Sequence, residues 1–183
     1  MNTLGTTDRY SKLSIALHWL MLLVMIAVFA TIELRTNFPR GSDIREGMKM
    51  WHFMLGLSIL VLVLVRIVAR LTTPAPAELP GEPAWRRLTS KATHLALYAL
   101  MLGMPLAGWT ILSAEGDPIP FFGLELPPLV GPDKDFAHQV EELHELGGTI
   151  AYWLIGLHAL AALFHHYVLK DGVLLRMMPR RKP

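Results

Sequence analysis

The chain contains no cysteine. That absence removes thiolate-ligated haem, cysteine-ligated iron-sulfur clusters, covalent c-type haem attachment and disulfides from consideration. Charge is scarce as well: 17% of the 183 residues are Asp, Glu, Lys or Arg, against 52% hydrophobic, and the mean hydropathy is positive. Low-complexity tracts and internal repeats are missing, and nothing in the charge pattern points to nucleic acid.

What is present is apolar and blocked. Four runs stand out, roughly Leu13 to Ile32, Phe53 to Val68, Ala92 to Leu112 and Leu146 to Val168. A membrane-spanning helix takes about 20 mostly apolar residues. Four spans leave short connections and no room for a second sizeable domain, so residues 1–183 read as one transmembrane domain. The expected fold is an all-α membrane protein, a four-helix transmembrane bundle. Arg9 and Lys12 precede the first block in the manner of a secretory signal, but its apolar run exceeds the roughly 7 to 15 residues of a signal's core, so it reads as a retained anchor.

Lys and Arg near span ends favour the cytoplasm. With both termini inside, the inner side collects Arg9, Lys12, Arg66, Arg70, Arg86, Arg87, Lys91, Lys170, Arg176, Arg180, Arg181 and Lys182. The outer side keeps Arg35, Arg40, Arg45, Lys49 and Lys134. Both termini and the Thr72 to Ser90 loop are therefore expected in the cytoplasm, with the basic tail serving as an anchor on anionic lipid. Pro74, Pro76, Pro80 and Pro83 make the start of that loop an extended linker. The Ser113 to Glu142 loop, rich in Asp and Glu, reads as an outer lid, with Phe121, Phe122 and the Leu126 to Leu129 stretch at the membrane interface.

Ionisable side chains inside a membrane are expensive, and each histidine there is a functional hypothesis. His144 and His158 lie fourteen residues apart in the last block. That spacing advances a helix by about 21 Å and returns nearly to the same face. His18, near the inner start of the first block, matches His158 in depth; His52, at the outer start of the second, matches His144. Two pairs, each drawn from two helices, are what two b-type haems with histidine on both iron faces require. Zinc would want carboxylate or thiolate company that these blocks lack. Gly56 follows His52 by four residues and Gly148 follows His144 by four, leaving a bare surface beside each outer ligand; the alternative is that these glycines, with Gly103, Gly108 and Gly156, serve close helix packing. His94 is a spare at the inner start of the third block, available to the inner haem or simply interfacial. His138 is expected in solvent. The tryptophans near span ends fit an aromatic belt.

The segments Tyr10-Ser-Lys-Leu-Ser-Ile-Ala-Leu-His18-Trp19, Leu157-His158-Ala-Leu-Ala-Ala-Leu-Phe-His165-His166-Tyr and Lys170-Asp171-Gly-Val-Leu-Leu-Arg-Met-Met-Pro179 closely resemble the bacterial cytochrome b561 family, and the resemblance covers essentially the whole chain. It implies a four-helix protein of the bacterial inner membrane with two haem b groups, the inner held by His18 and His158, the outer by His52 and His144, exchanging electrons with the quinone pool. Resemblance to one member of that family, a superoxide:ubiquinone oxidoreductase, further implies a periplasmic one-electron donor, superoxide, and ubiquinone as acceptor. Arg35, Arg40, Arg45 and Lys49 could gather an anion outside, against an otherwise acidic outer loop. His165 and His166, with Lys170 behind them, could supply hydrogen-bond donors to a quinone. Arg66 and Arg70 either neutralise haem propionates or snorkel to the surface. The alternatives are a cytochrome b subunit or shuttle serving a separate periplasmic redox protein, and a haem-free transporter or structural bundle.

Overall fold

The structure is a computed structural model that describes residues 9–74, 76–77 and 81–179. Pro80 of the expected linker and Arg180, Arg181 and Lys182 of the expected basic tail lie outside the described residues. Four long helices form: α1 (Lys12–Leu34), α2 (Asp43–Thr72), α3 (Ala84–Glu115) and α4 (Lys134–Phe164). All four are long and apolar enough to cross a membrane. The 23 residues of α1 rise about 35 Å, enough for a hydrocarbon core of about 30 Å.

Three of the helices begin earlier than their apolar blocks, for reasons of capping rather than hydropathy. The Ser42 hydroxyl accepts the Arg45 N–H at 3.4 Å and the Asp133 carboxylate accepts the Phe136 N–H at 3.0 Å, so α2 and α4 start in polar sequence. Pro83 precedes α3, which begins at Ala84. At the other ends, Thr73 before Pro74 stops α2, and Gly116, at φ 78°, stops α3. The expected long outer loop is thereby shortened. Residues 113–115 and 134–142 belong to α3 and α4.

An even number of spans puts the start of α1 and the end of α4 on one side. There the Trp19 Nε1–H donates to the Met177 carbonyl at 2.7 Å, and Arg176 Nη1 donates to the Ala77 carbonyl at 2.6 Å. The tail is thus bound to α1 and to the α2–α3 connection. The opposite end is closed by a small antiparallel hairpin, β1 (Ile119–Phe121) and β2 (Leu124–Leu126), with Ile119 opposite Leu126. Its two turn residues, Phe122 and Gly123, both have positive φ, as a two-residue hairpin turn requires. Ile119 packs with Leu57 of α2 and Leu112 of α3, flanked by Phe53, Trp109, Phe121 and Leu126. Phe121 and Leu126 therefore face the core, while Phe122 and Leu129 remain exposed.

The helices pack in chain order, α1 on α2, α2 on α3 and α3 on α4. The backbones of α1 and α4, and of α2 and α4, hardly approach one another. α1 and α4 meet through side chains such as Phe29 and Tyr152, whose ring centres are 4.1 Å apart. The helix pairs that carry the matched histidines are the ones held apart.

Candidate functional site

Near the termini, His18 of α1 and His158 of α4 face each other with ring centres 6.3 Å apart and planes at 80°. At the hairpin end, His52 of α2 and His144 of α4 repeat this at 6.3 Å and 78°. Two imidazoles on opposite faces of one metal atom, each bonded at about 2 Å with a nitrogen about 1.1 Å from its ring centre, have centres about 6.2 Å apart. Both separations agree with that value.

The surroundings suit these rings to metal ligation. His52 Nδ1 lies 3.0 Å from the Val28 carbonyl. A carbonyl only accepts, so Nδ1 carries the proton and the Nε2 lone pair is left for a metal. His144 Nδ1 is buried without a formed hydrogen bond among the described residues, the Met104 backbone being the polar group beside the ring. No group of three or more His, Asp or Glu side chains among the described residues could hold a metal ion. A metal bound by one of these pairs must bring its remaining ligands with it, as iron in a porphyrin does.

The glycines divide by what a side chain would meet. A Cβ placed on Gly56 or Gly148 has no atom within 4 Å, whereas one on Gly108 would lie 3.6 Å from His144 Cε1. One on Gly147 would overlap the Met104 sulfur. Close packing of α3 against α4 therefore falls on Gly147, which the sequence reading passed over, while Gly56 and Gly148 border open space beside the hairpin-end pair. Both fit a planar group lying against the axial rings.

His94 of α3 joins the pair near the termini, 5.4 Å from His158 between ring centres, and its Nδ1 is held by the Ser90 carbonyl at 2.7 Å. Arg66 of α2 is an electrostatic neighbour of both His18 and His158, whereas Arg70 turns away to stack on the Tyr10 ring at 5.2 Å. At the hairpin end, Arg35 neighbours His52 and its buried Nε has no hydrogen-bond partner among the described residues. Arg45 is spent on the Phe38 and Arg35 carbonyls. His138 is exposed and lies 3.6 Å from Glu142.

The three expected quinone residues, His165, His166 and Lys170, have different side-chain surroundings. His165 opens a wide π turn, His165–Leu169, and its Nδ1 lies 2.5 Å from Asp171 Oδ2. Asp171 Oδ1 accepts the Val173 N–H at 3.1 Å. His166 meets the Tyr167 ring edge to face instead, and Lys170 is exposed in a left-handed conformation. Asp171 as the partner of His165 had no sequence signal beyond its place in the Lys170-Asp171 turn, because the π turn that brings it back is invisible to periodicity.

Comparison with known proteins gives the family. Residues 9–180 match the family described as prokaryotic cytochrome b561. The chain is 38% identical to cytochrome b561 homolog 1 of Escherichia coli K12, covering 96% of this chain and 99% of that protein. It is 41% identical to the probable superoxide oxidase CybB of Yersinia pestis, covering 95% and 98%, and 33% identical to cytochrome b562 of Cereibacter sphaeroides, covering 94% and 96%. With four apolar helices and a family match over almost its whole length, the chain belongs to the prokaryotic cytochrome b561 family, haem b proteins of membrane electron transfer in the bacterial inner membrane.

Proposed function

We propose that the protein oxidises superoxide on the periplasmic face and delivers the electrons to ubiquinone on the cytoplasmic face through two haem b groups. His18 and His158 hold the inner haem and His52 and His144 the outer one, with both termini in the cytoplasm. The observation that carries this reading is the repetition of one ring separation, 6.3 Å, at two depths along α4. Haem b held between the paired imidazoles of His18 and His158, and of His52 and His144, would supply reversible one-electron transfer.

The chain's own residues orient, charge and close the site. The Val28 carbonyl fixes the His52 tautomer and ring plane. The hairpin packs on Phe53 and Leu57 of α2 and on Trp109 and Leu112 near the outer end of α3. Arg35 supplies positive charge beside His52, which favours the approach of an anion. On the inner side Asp171 holds His165 at Nδ1, which aims the other ring nitrogen at a quinone oxygen and gives a route for its protons. Two superoxide anions each lose one electron and leave as dioxygen. One ubiquinone gains those two electrons and two protons and leaves as ubiquinol. The relative described as a probable superoxide oxidase supports this choice of donor.

A second reading has its own support. The outer face also exposes Glu125, Asp133, Asp135, Glu141 and Glu142, a surface that would attract a basic periplasmic redox protein rather than an anion. Ubiquinol formation by purified protein supplied with an enzymatic superoxide source, with and without superoxide dismutase, separates the two. Dismutase-sensitive ubiquinol is expected. Quinone reduction that occurs only with a protein donor would overturn the superoxide reading.

A further inference from the structure

α2 and α4 run in the same direction, each from the hairpin end towards the termini end. On α4, His144 is followed after fourteen residues by His158; on α2, His52 is followed after fourteen by Arg66. A helix returns nearly to the same face over that interval. Arg66 therefore stands on α2 where His158 stands on α4, one haem deeper than the outer pair. It is an electrostatic neighbour of both His18 and His158.

Its side chain is anchored by neutral groups. Nε donates to the Tyr98 hydroxyl of α3 at 3.3 Å and Nη1 to the Ser14 carbonyl of α1 at 3.2 Å. No carboxylate pairs with it among the described residues. A guanidinium carries five N–H donors, so three remain unused. A cation half-buried in a membrane span with spare donors and no counter-charge calls for an anion. Arg70, one turn on, is exposed and stacks on Tyr10, so surface snorkelling describes Arg70 and not Arg66.

We infer that Arg66, held by Tyr98 and Ser14, is the binding site for a carboxylate of the inner haem, pairing with one propionate and setting that haem's potential. The planar fork suits a carboxylate. The inference rests on the two-haem reading, and the haem count of the unaltered protein tests that reading by itself.

The experiment compares Arg66→Gln and Arg66→Lys with the unaltered holoprotein in detergent, by haem count, redox titration and reduced-minus-oxidised infrared spectra with haem carrying ¹³C in its propionate carboxylates. Loss of the positive charge leaves a propionate uncompensated and favours ferric iron. Arg66→Gln should therefore shift one midpoint downwards, or lose one haem, and leave the other haem unmoved. Arg66→Lys should keep both haems and a midpoint near the original, with altered propionate bands. Unchanged midpoints in Arg66→Gln, or equal damage in both variants, would reduce Arg66 to a clamp between helices and overturn the inference. A midpoint shift in Arg66→Gln with unaltered propionate bands in both variants would assign the anion to another source, such as a lipid phosphate, and overturn it equally.

Discussion

Gly147 and Gly148 are adjacent, yet enlarging them should have opposite consequences. At Gly148 an added Cβ meets nothing within 4 Å, while at Gly147 it overlaps the Met104 sulfur. Replacing a helix-interior glycine by a residue with a side chain gains about 0.5–1 kcal/mol where space allows. Gly148→Leu should therefore leave the haem-free helices as stable or more stable, while its side chain enters the space beside His144 that a porphyrin would use. Overpacking of about 1–3 kcal/mol weakens haem binding there about 5- to 150-fold. At Gly147 the Met104 sulfur, the far end of a flexible side chain, can move aside for a methyl group, but Gly147→Leu places the same kind of cost between α3 and α4 themselves and should lower thermal stability with or without haem. The assay is the pyridine haemochrome count per chain beside a thermal melt in detergent. Weaker haem retention at one site with the helices intact is expected for Gly148→Leu, and a lowered melt for Gly147→Leu. Haem retention in Gly148→Leu equal to that of the unaltered protein would refute the assignment of that space to a haem.

Further variants test the other parts of the site. His158→Ala should leave a single haem with the spectrum of the outer site, checked by reduced-minus-oxidised spectroscopy; an unchanged haem count would contradict the inner pair. Asp171→Asn should leave both haem spectra intact and slow quinone reduction about tenfold or more, since a charge-assisted hydrogen bond of about 1.5–3 kcal/mol is weakened; an unaltered rate would remove His165 from the quinone site. Arg35→Gln should lower the superoxide-driven rate and flatten its dependence on ionic strength, measured by stopped-flow haem reduction. Equal salt dependence in the variant would show that Arg35 does not steer the anion.

The four helices were legible as runs of apolar sequence because lipid demands continuous hydrophobicity. Their true starts were not, since Ser42 and Asp133 begin helices inside polar stretches that hydropathy assigns to loops. The pairing of His18 with His158 and of His52 with His144 followed from depth alone, because a helix converts residue number into height. What escaped the sequence depends on the rotation of one helix against another or on a local departure from helical geometry. Gly147 and Gly148 are indistinguishable in sequence, and only the facing Met104 tells them apart. Asp171 reaches His165 only because the chain widens into a π turn. Arg66 and Arg70 look alike at the end of α2 until Tyr98, Ser14 and Tyr10 divide them.

The haem-to-protein ratio of the purified protein, read from the pyridine haemochrome, tests the central claim most directly. Two haem b per chain is the predicted result. A ratio of one, in protein produced with ample haem, would contradict the paired-histidine account at one end of the bundle, and a ratio of zero would contradict it at both.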